Sequence, residues 1–527
     1  MILRNRRNLQ TGFILPTVLS FIVAGLIFAG AATTIIFNNF FVVGRNVDSQ
    51  KAFNIAEAGI NYYLWHLSHN GDDYKDGGTT PSTPDATLGY GPYVHTYIDD
   101  NSVNQGTFTL WVNPQGSGST VVKVRSIGKI KNSTITRTVE AQIGATSFAN
   151  YAVLSDQALW FGNTETADGP VHSNQGVRMD GASNDVVSSA NTTYVPSSQL
   201  GGNGSTSRAG VWCSTSVTAP VDCASRSKTD WLYPKPTVDF NQVSSSLCTI
   251  KKAAFASVAS TASLATQTNA CTQVPSSRTA AYLPQRASSY SAVRGYLINL
   301  NTNGTYDLYN VNAENDTASS YSTALTTTSV ASGVTIPSAG VIFAEDNVWI
   351  RSAPTYHGRV TVAAGRLATT NSANIKIVDN LAYSTKNGSD AIGLVTEDSV
   401  RIAPYAAPAS GNFTLEVDAA VLAQAGDVEV PLYYSSSSSN CTRGWVGANQ
   451  KLNFYGSISA RQTWTWSWLV GGGCGNAVYD SASGYYISGF KNNTSSYDYN
   501  LLYAPPPSYP ITGGYNIMQW REVLTKP

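Results

Sequence analysis

The stretch Phe13–Phe37 reads FILPTVLSFIVAGLIFAGAATTIIF and carries no charged residue. As a helix rising 1.5 Å per residue it spans roughly 37 Å, enough to cross a hydrocarbon core of roughly 30 Å with some tilt. Arg4, Arg6 and Arg7 precede it and no charge follows until Arg45. A basic flank stays on the cytoplasmic side, so everything after the run is expected outside. The run is too long for the core of an ordinary signal peptide, and no small-residue cleavage site follows it. Helical periodicity then continues through Phe53, Ala56, Ile60, Tyr63, Leu64 and Leu67, which recur at three- and four-residue steps. The expectation is a basic leader over 1–12 and one long helix over 13–70, membrane-spanning at 13–37 and amphipathic at 51–67.

The rest of the chain reads differently. Its 527 residues are enough for two or three domains with a large core. Net charge is zero and only 13% of residues are charged, so no nucleic-acid partner is indicated. Gly, Ser, Thr and Asn punctuate short β-branched runs, which is the text of many short strands. Only Leu247–Thr266 reads as further helix. A polar loop runs to about Gly91, and Gly106–Val112, Thr120–Ile127 and Ser133–Ile143 then alternate as antiparallel strands. This gives a β-sheet head over 71–148, packed on the amphipathic half of the helix.

Residues 149–527 carry a loose repeat. Val153–Phe161, Val171–Met179, Ile342–Ile350 and Leu394–Ile402 share one frame: a short apolar strand, a polar corner, a second apolar strand. Looser echoes lie near Val360, Ile375 and Val428, with several intervals of about eighteen residues. A rung of this kind cannot bury its apolar face alone, whereas stacked rungs share one core. The fold class expected is mainly β with one long N-terminal helix: an α+β head, then a parallel β-helix interrupted by a Ser/Thr-rich insertion at 182–339. The alternative is a β-sandwich.

All six cysteines lie beyond the apolar run, which favours disulfides over metal binding in an exported region. Several connectivities are open; order along the chain suggests Cys213–Cys223, Cys248–Cys271 and Cys441–Cys474. No C-x-x-C spacing occurs, and neither a metal nor another cofactor is expected. His66 and His69 share a helical face without a third ligand nearby. The acidic pairs Glu345-Asp346 and Glu397-Asp398 fall at corners of the repeat, where Asp and its neighbours favour turns, so no catalytic residue is assigned and no enzyme is expected. Trp464, Trp466 and Trp468 alternate, so one strand would place the three indoles on one face, either as a cap on the core or as a platform for a glycan or host-surface ligand.

Two resemblances add to this. The segment Gln10-Thr-Gly-Phe-Ile-Leu-Pro-Thr17 resembles a type IV prepilin signal, and Ala52-Phe-Asn-Ile-Ala-Glu-Ala-Gly-Ile60 resembles the AF..AEAG segment of PilX-like minor pilins and large type II pseudopilins. The resemblance implies cleavage by a prepilin peptidase between Gly12 and Phe13, N-methylation of Phe13, and packing of the helix, including Thr17 and Glu57, among other pilin subunits through the pilus assembly machinery. Thr17 stands where major pilins usually carry a glutamate that assists docking; minor and tip subunits often lack it. The segments Ile342–Ile350, Gly358–Thr361, Ile392–Val395 and Tyr497–Leu502, with Pro505-Pro-Pro and Trp520-Arg-Glu522, resemble a domain of unknown function of the DUF4900 type. Together they imply a single-pass membrane protein that becomes a minor pilin-like filament subunit, displaying a large β-domain outside with a tip position and an adhesive role as the expectation. The alternatives are a membrane-anchored surface adhesin or a carbohydrate-active β-helix enzyme outside any filament.

Overall fold

The structure, a computed structural model, describes residues 14–69, 74–78, 84–114, 121–163, 165–215, 223, 228–286, 291–316, 318, 320–407, 412–432, 450–470, 478–481 and 484–523. The chain divides into two compact units, one of 1–113, 123–142 and 517–527 and one of 114–122 and 143–516.

In the first unit helix α1 spans Ile14–His69. Pro16 sits in its first turn, where the missing N–H costs no helical hydrogen bond. Ala52, Ile55, Ala56, Gly59, Ile60, Tyr63 and Leu67 are its buried residues, a stripe at helical spacing confined to the second half. The stripe packs on a five-stranded sheet ordered β1 (Tyr90–Ile98), β2 (Asn104–Pro114), β3 (Val121–Ile130), β4 (Thr136–Ser147), then the C-terminal strand Ile511–Val523. Between β3 and β4 the chain turns through Asn132, which takes the left-handed conformation (φ 60°) that Asn tolerates. The expected three strands are present, and two more flank them. The C-terminal strand is a correction: the sequence reading put all of 149–527 into the second domain, yet this strand pairs with β4. Its partner lies more than 360 residues earlier in the chain, and no local pattern encodes such a pairing.

In the second unit the strand–corner–strand frames form stacked parallel turns. Val341–Ala344, Arg359–Ala364, Ala391–Thr396, Phe413–Ala423 and Gln450–Ala460 make one parallel ladder. Asn347–Ala353, Ile375–Ile377, Val400–Ile402, Val428–Glu429 and Trp464–Thr465 make a second, also parallel. A sandwich of antiparallel sheets would not give this register. The chain enters the stack at its middle. Val153 pairs with Ile458 of the last-formed turn, and Val171 and Val187 stack on beyond it. The result is one continuous row, Ile342–Val362–Leu394–Val421–Ile458–Val153–Val171–Val187, in which every side chain is buried.

The region read as an insertion also needs correcting. The turn Val187–Ser189 and Val211–Trp212 continues the stack within it, and Tyr282–Leu283 resumes the stack at the other end. Between them helix α2 (Gln242–Ala256) lays Val243, Leu247, Ile250, Ala254 and Phe255 over the outward side of the first ladder, against Phe343, Ala363, Val395 and Leu422. An antiparallel meander of Gly295–Asn301, Thr305–Glu314 and Leu325–Thr335 follows. The disulfides Cys213–Cys223 and Cys248–Cys271 are present, with Cα atoms 5.7 and 5.0 Å apart. Cys441 and Cys474 lie outside the described residues.

Candidate functional site

The first thirty residues of α1 are the most unusual surface of the chain. Phe21, Phe28 and Phe41 are each at least 75% exposed, and none of the apolar stretch is buried by its own unit. Leaving such side chains in water costs roughly 1.5–3 kcal/mol each, so this half of the helix requires lipid or other protein around it. It is long and apolar enough to cross a membrane. Thr17 lies here, its Oγ1 donating to the Ile14 carbonyl at 2.8 Å, and Glu57 lies half-buried on the second half. Gly12 and Phe13 are outside the described residues.

The second half of α1 is held to its sheet by close approach. A Cβ on Gly59 would stand 2.3 Å from Ser126 Oγ, and one on Gly128 would stand 2.1 Å from the Ala52 carbonyl oxygen. Small residues in Ala52–Ile60 therefore have a local reason, the proximity of strands β2 and β3. At the sheet's far side the C-terminal strand contributes three consecutive anchors. Trp520 meets Phe53 edge-on at 5.7 Å, Arg521 binds Glu140, and Glu522 pairs with Arg137, whose guanidinium also reaches Ser49 on α1. Burial opposes the Glu140 charge, yet Arg521, Lys123 and Arg125 together hold its carboxyl below the usual range. Nothing in Trp520-Arg-Glu522 announces this role by sequence beyond the alternation of a strand.

The acidic pairs are committed to the corners. Glu345 is buried against the Lys251 ammonium of α2 and accepts from Tyr282 Oη at 3.4 Å. Asp346 accepts from the Arg286 and Asn347 backbone N–H groups at 3.1 and 3.0 Å and faces Arg366 at 3.4 Å. Glu397 caps the backbone of Arg366 at 2.8 Å, and Asp398 accepts from Ser399 Oγ at 3.3 Å. These oxygens close turns and neutralise buried cations.

The tryptophan platform is not formed. Trp464 opens the two-residue strand Trp464–Thr465, Trp466 occupies a bend, and Trp468 belongs to a different sheet, in Ser467–Val470. Trp466 is buried, with its ring 5.5 Å from Phe454 and its N–H donating to Ser495 Oγ at 3.0 Å. The Trp468 N–H donates to the Val430 carbonyl at 2.8 Å. Alternation puts three side chains on one face only in a straight strand, and the bend at Trp466 breaks that face. His66 lies near Tyr62 and Tyr63, and the His69 ring is bonded to the Trp65 carbonyl. Among the described residues no group of three or more metal-ligating side chains occurs.

No family model and no curated relative matches the chain. Among solved structures it is similar to the competence-associated pilin ComZ from Thermus thermophilus, at 13% identity and a TM-score of 0.26, covering 91% of this chain and 98% of that one.

Proposed function

We propose that this chain is a minor pilin-like subunit of a type IV pilus or related filament. It is held in the membrane by the first half of α1, trimmed by a prepilin peptidase after Gly12, and passed into a fibre through α1. The parallel-stranded unit is its displayed cargo, and its bulk suits a tip or sparse position. One observation carries the reading: a single 56-residue helix is unburied over its apolar half and packed on an antiparallel-type sheet head over the other. Transfer from lipid to a bundle of neighbouring helices keeps that surface out of water throughout. The corner roles of the carboxylates favour this over a carbohydrate-active enzyme, and the buried Trp466 removes the reason for an indole-based adhesive face.

Changing Gly12→Ala is expected to block trimming and to leave the protein in the membrane fraction. Recovery of a trimmed Gly12→Ala protein from sheared surface appendages would refute the processing step, and a wild-type protein absent from such appendages would refute filament assembly.

A further inference from the structure

Lys251 belongs to α2 and is completely buried between that helix and the first ladder. Its amine is met from three segments. The Nζ donates to the Cys271 carbonyl at 2.8 Å, lies against the Glu345 carboxylate, and stands over the Phe255 and Phe343 rings at 5.9 and 5.7 Å. Side-chain exposure is 0% for Lys251 and 2% for Glu345, so bulk water solvates neither charge. Glu345 is fixed as firmly. Its backbone N–H donates to the Leu283 carbonyl at 2.9 Å, and its Oε1 accepts from the buried Tyr282 hydroxyl at 3.4 Å. Tyr282 is held in turn by pairing with Phe343 on the ladder, and the Cys271 carbonyl by the disulfide to Cys248 on α2.

A buried ion pair carries a desolvation cost that its mutual attraction does not always return. Burial lowers the Lys251 amine from its ordinary pKa and pushes the Glu345 carboxyl up to about 7, each partner's charge opposing the shift of the other. Proton transfer within the pair then sets a free amine, a nucleophile, beside a carboxylic acid. Groups held in contact and aligned react as if at effective concentrations on the order of 10⁵–10⁸ M. The surroundings also fit the product. An amide has one N–H and one carbonyl, and the site supplies an acceptor for the first, the Cys271 carbonyl, and a donor for the second, the Tyr282 hydroxyl. A neutral amide with both groups paired replaces two buried charges.

We infer that Lys251 Nζ and Glu345 Cδ condense to an amide, a covalent cross-link between α2 and the first ladder. The amine attacks the carboxyl carbon while the Tyr282 hydroxyl donates to the oxygen that stays. One N–C bond forms and one C–O bond breaks. Ammonium and carboxylate become amide and water: two of the three ammonium protons leave with one carboxylate oxygen, one stays on nitrogen, and no other reactant is consumed. With Cys248–Cys271 this gives α2 two covalent ties, of which the amide withstands reduction. The cross-link goes beyond the filament reading and does not depend on it, because it requires only the folded second unit.

The test is mass spectrometry of the full-length wild-type chain after its disulfides are reduced. The protein is expected one water lighter than the linear polypeptide. Peptide mapping should find the segment holding Lys251 joined to the segment holding Glu345, with trypsin sparing Lys251. Lys251→Met and Glu345→Ala should each keep the full linear mass and yield no joined peptide. Tyr282→Phe retains the ring and should lower the yield of joined peptide about tenfold at equal times after a pulse of synthesis, equivalent to about 1.4 kcal/mol on the barrier. Recovery of Lys251 and Glu345 in separate peptides from folded wild-type protein overturns the inference, as does a lost water that maps elsewhere in the chain. An undiminished yield in Tyr282→Phe overturns the part given to the tyrosine.

Discussion

Gly128 lies where strand β3 crosses α1 so closely that even a methyl group meets the Ala52 carbonyl. Gly128→Ala should lower the stability of the first unit by about 1–3 kcal/mol, measured as loss of amide protection along 52–67. Burial and pairing compete more evenly at Glu345. Burial pushes its carboxyl up to about 7, with the Lys251 ammonium opposing the rise. Lys251→Met removes the opposition, so the folded-state pKa rises further above the unfolded value. A raised carboxyl stabilises the fold fully below the unfolded pKa and loses that contribution as pH climbs through the folded one. The variant should therefore melt at a higher temperature at pH 5 than at pH 8, with stability falling by up to about 1.4 kcal/mol per pH unit between. A pH-independent Tm in Lys251→Met would show that Glu345 is not the titrating group.

At the scale of elements, the corners and the helix over the ladder do most to hold the turns together. Ser155, Ser173 and Ser189 occupy equivalent corners. Each accepts from a backbone N–H just ahead of it and donates to a carbonyl of the adjacent turn, Gln462, Gln157 and Gln175 respectively. That geometry explains the serine in third place of the first two repeat frames, a position otherwise legible only as small. Helix α2 is clamped by Cys248–Cys271, which closes a loop of 23 residues. Replacing both cysteines with serine should cost about 3 kcal/mol and expose 242–272 to protease before the ladders open.

At the scale of the whole molecule, the second unit is one stack whose ends in sequence meet in its middle. Val421 and Val153 are separated by a single turn, that of Ile458, although they lie far apart along the chain. Val421→Asp should accordingly lower hydrogen-exchange protection at Val153–Ser155 as well as at its own turn. Unchanged protection at Val153–Ser155 would mean that the two segments of the stack open separately.

How much of this was readable differs by feature. The helix, its apolar and amphipathic halves, the repeat frames and two cysteine pairings were legible, because each depends on periodicity or spacing within a few tens of residues. The anchors of the C-terminal strand were not: Arg521 and Glu522 meet Glu140 and Arg137 from the other end of the chain, and no local pattern announces such pairs. The tryptophans misled because alternation implies a shared face only while the strand stays straight, and a bend at Trp466 is a tertiary outcome. Local chemistry alone determined that this chain has a lipid-length helix followed by short strands with polar corners, since hydrophobic patterning and turn preference act between near neighbours. Tertiary structure decided which strands met: Ile511–Val523 beside Thr136–Ser147, Val153 upon Ile458. Backbone hydrogen bonds are the same for every residue, so pairing at such distance is selected only by the core that closing the stack and the sheet can bury.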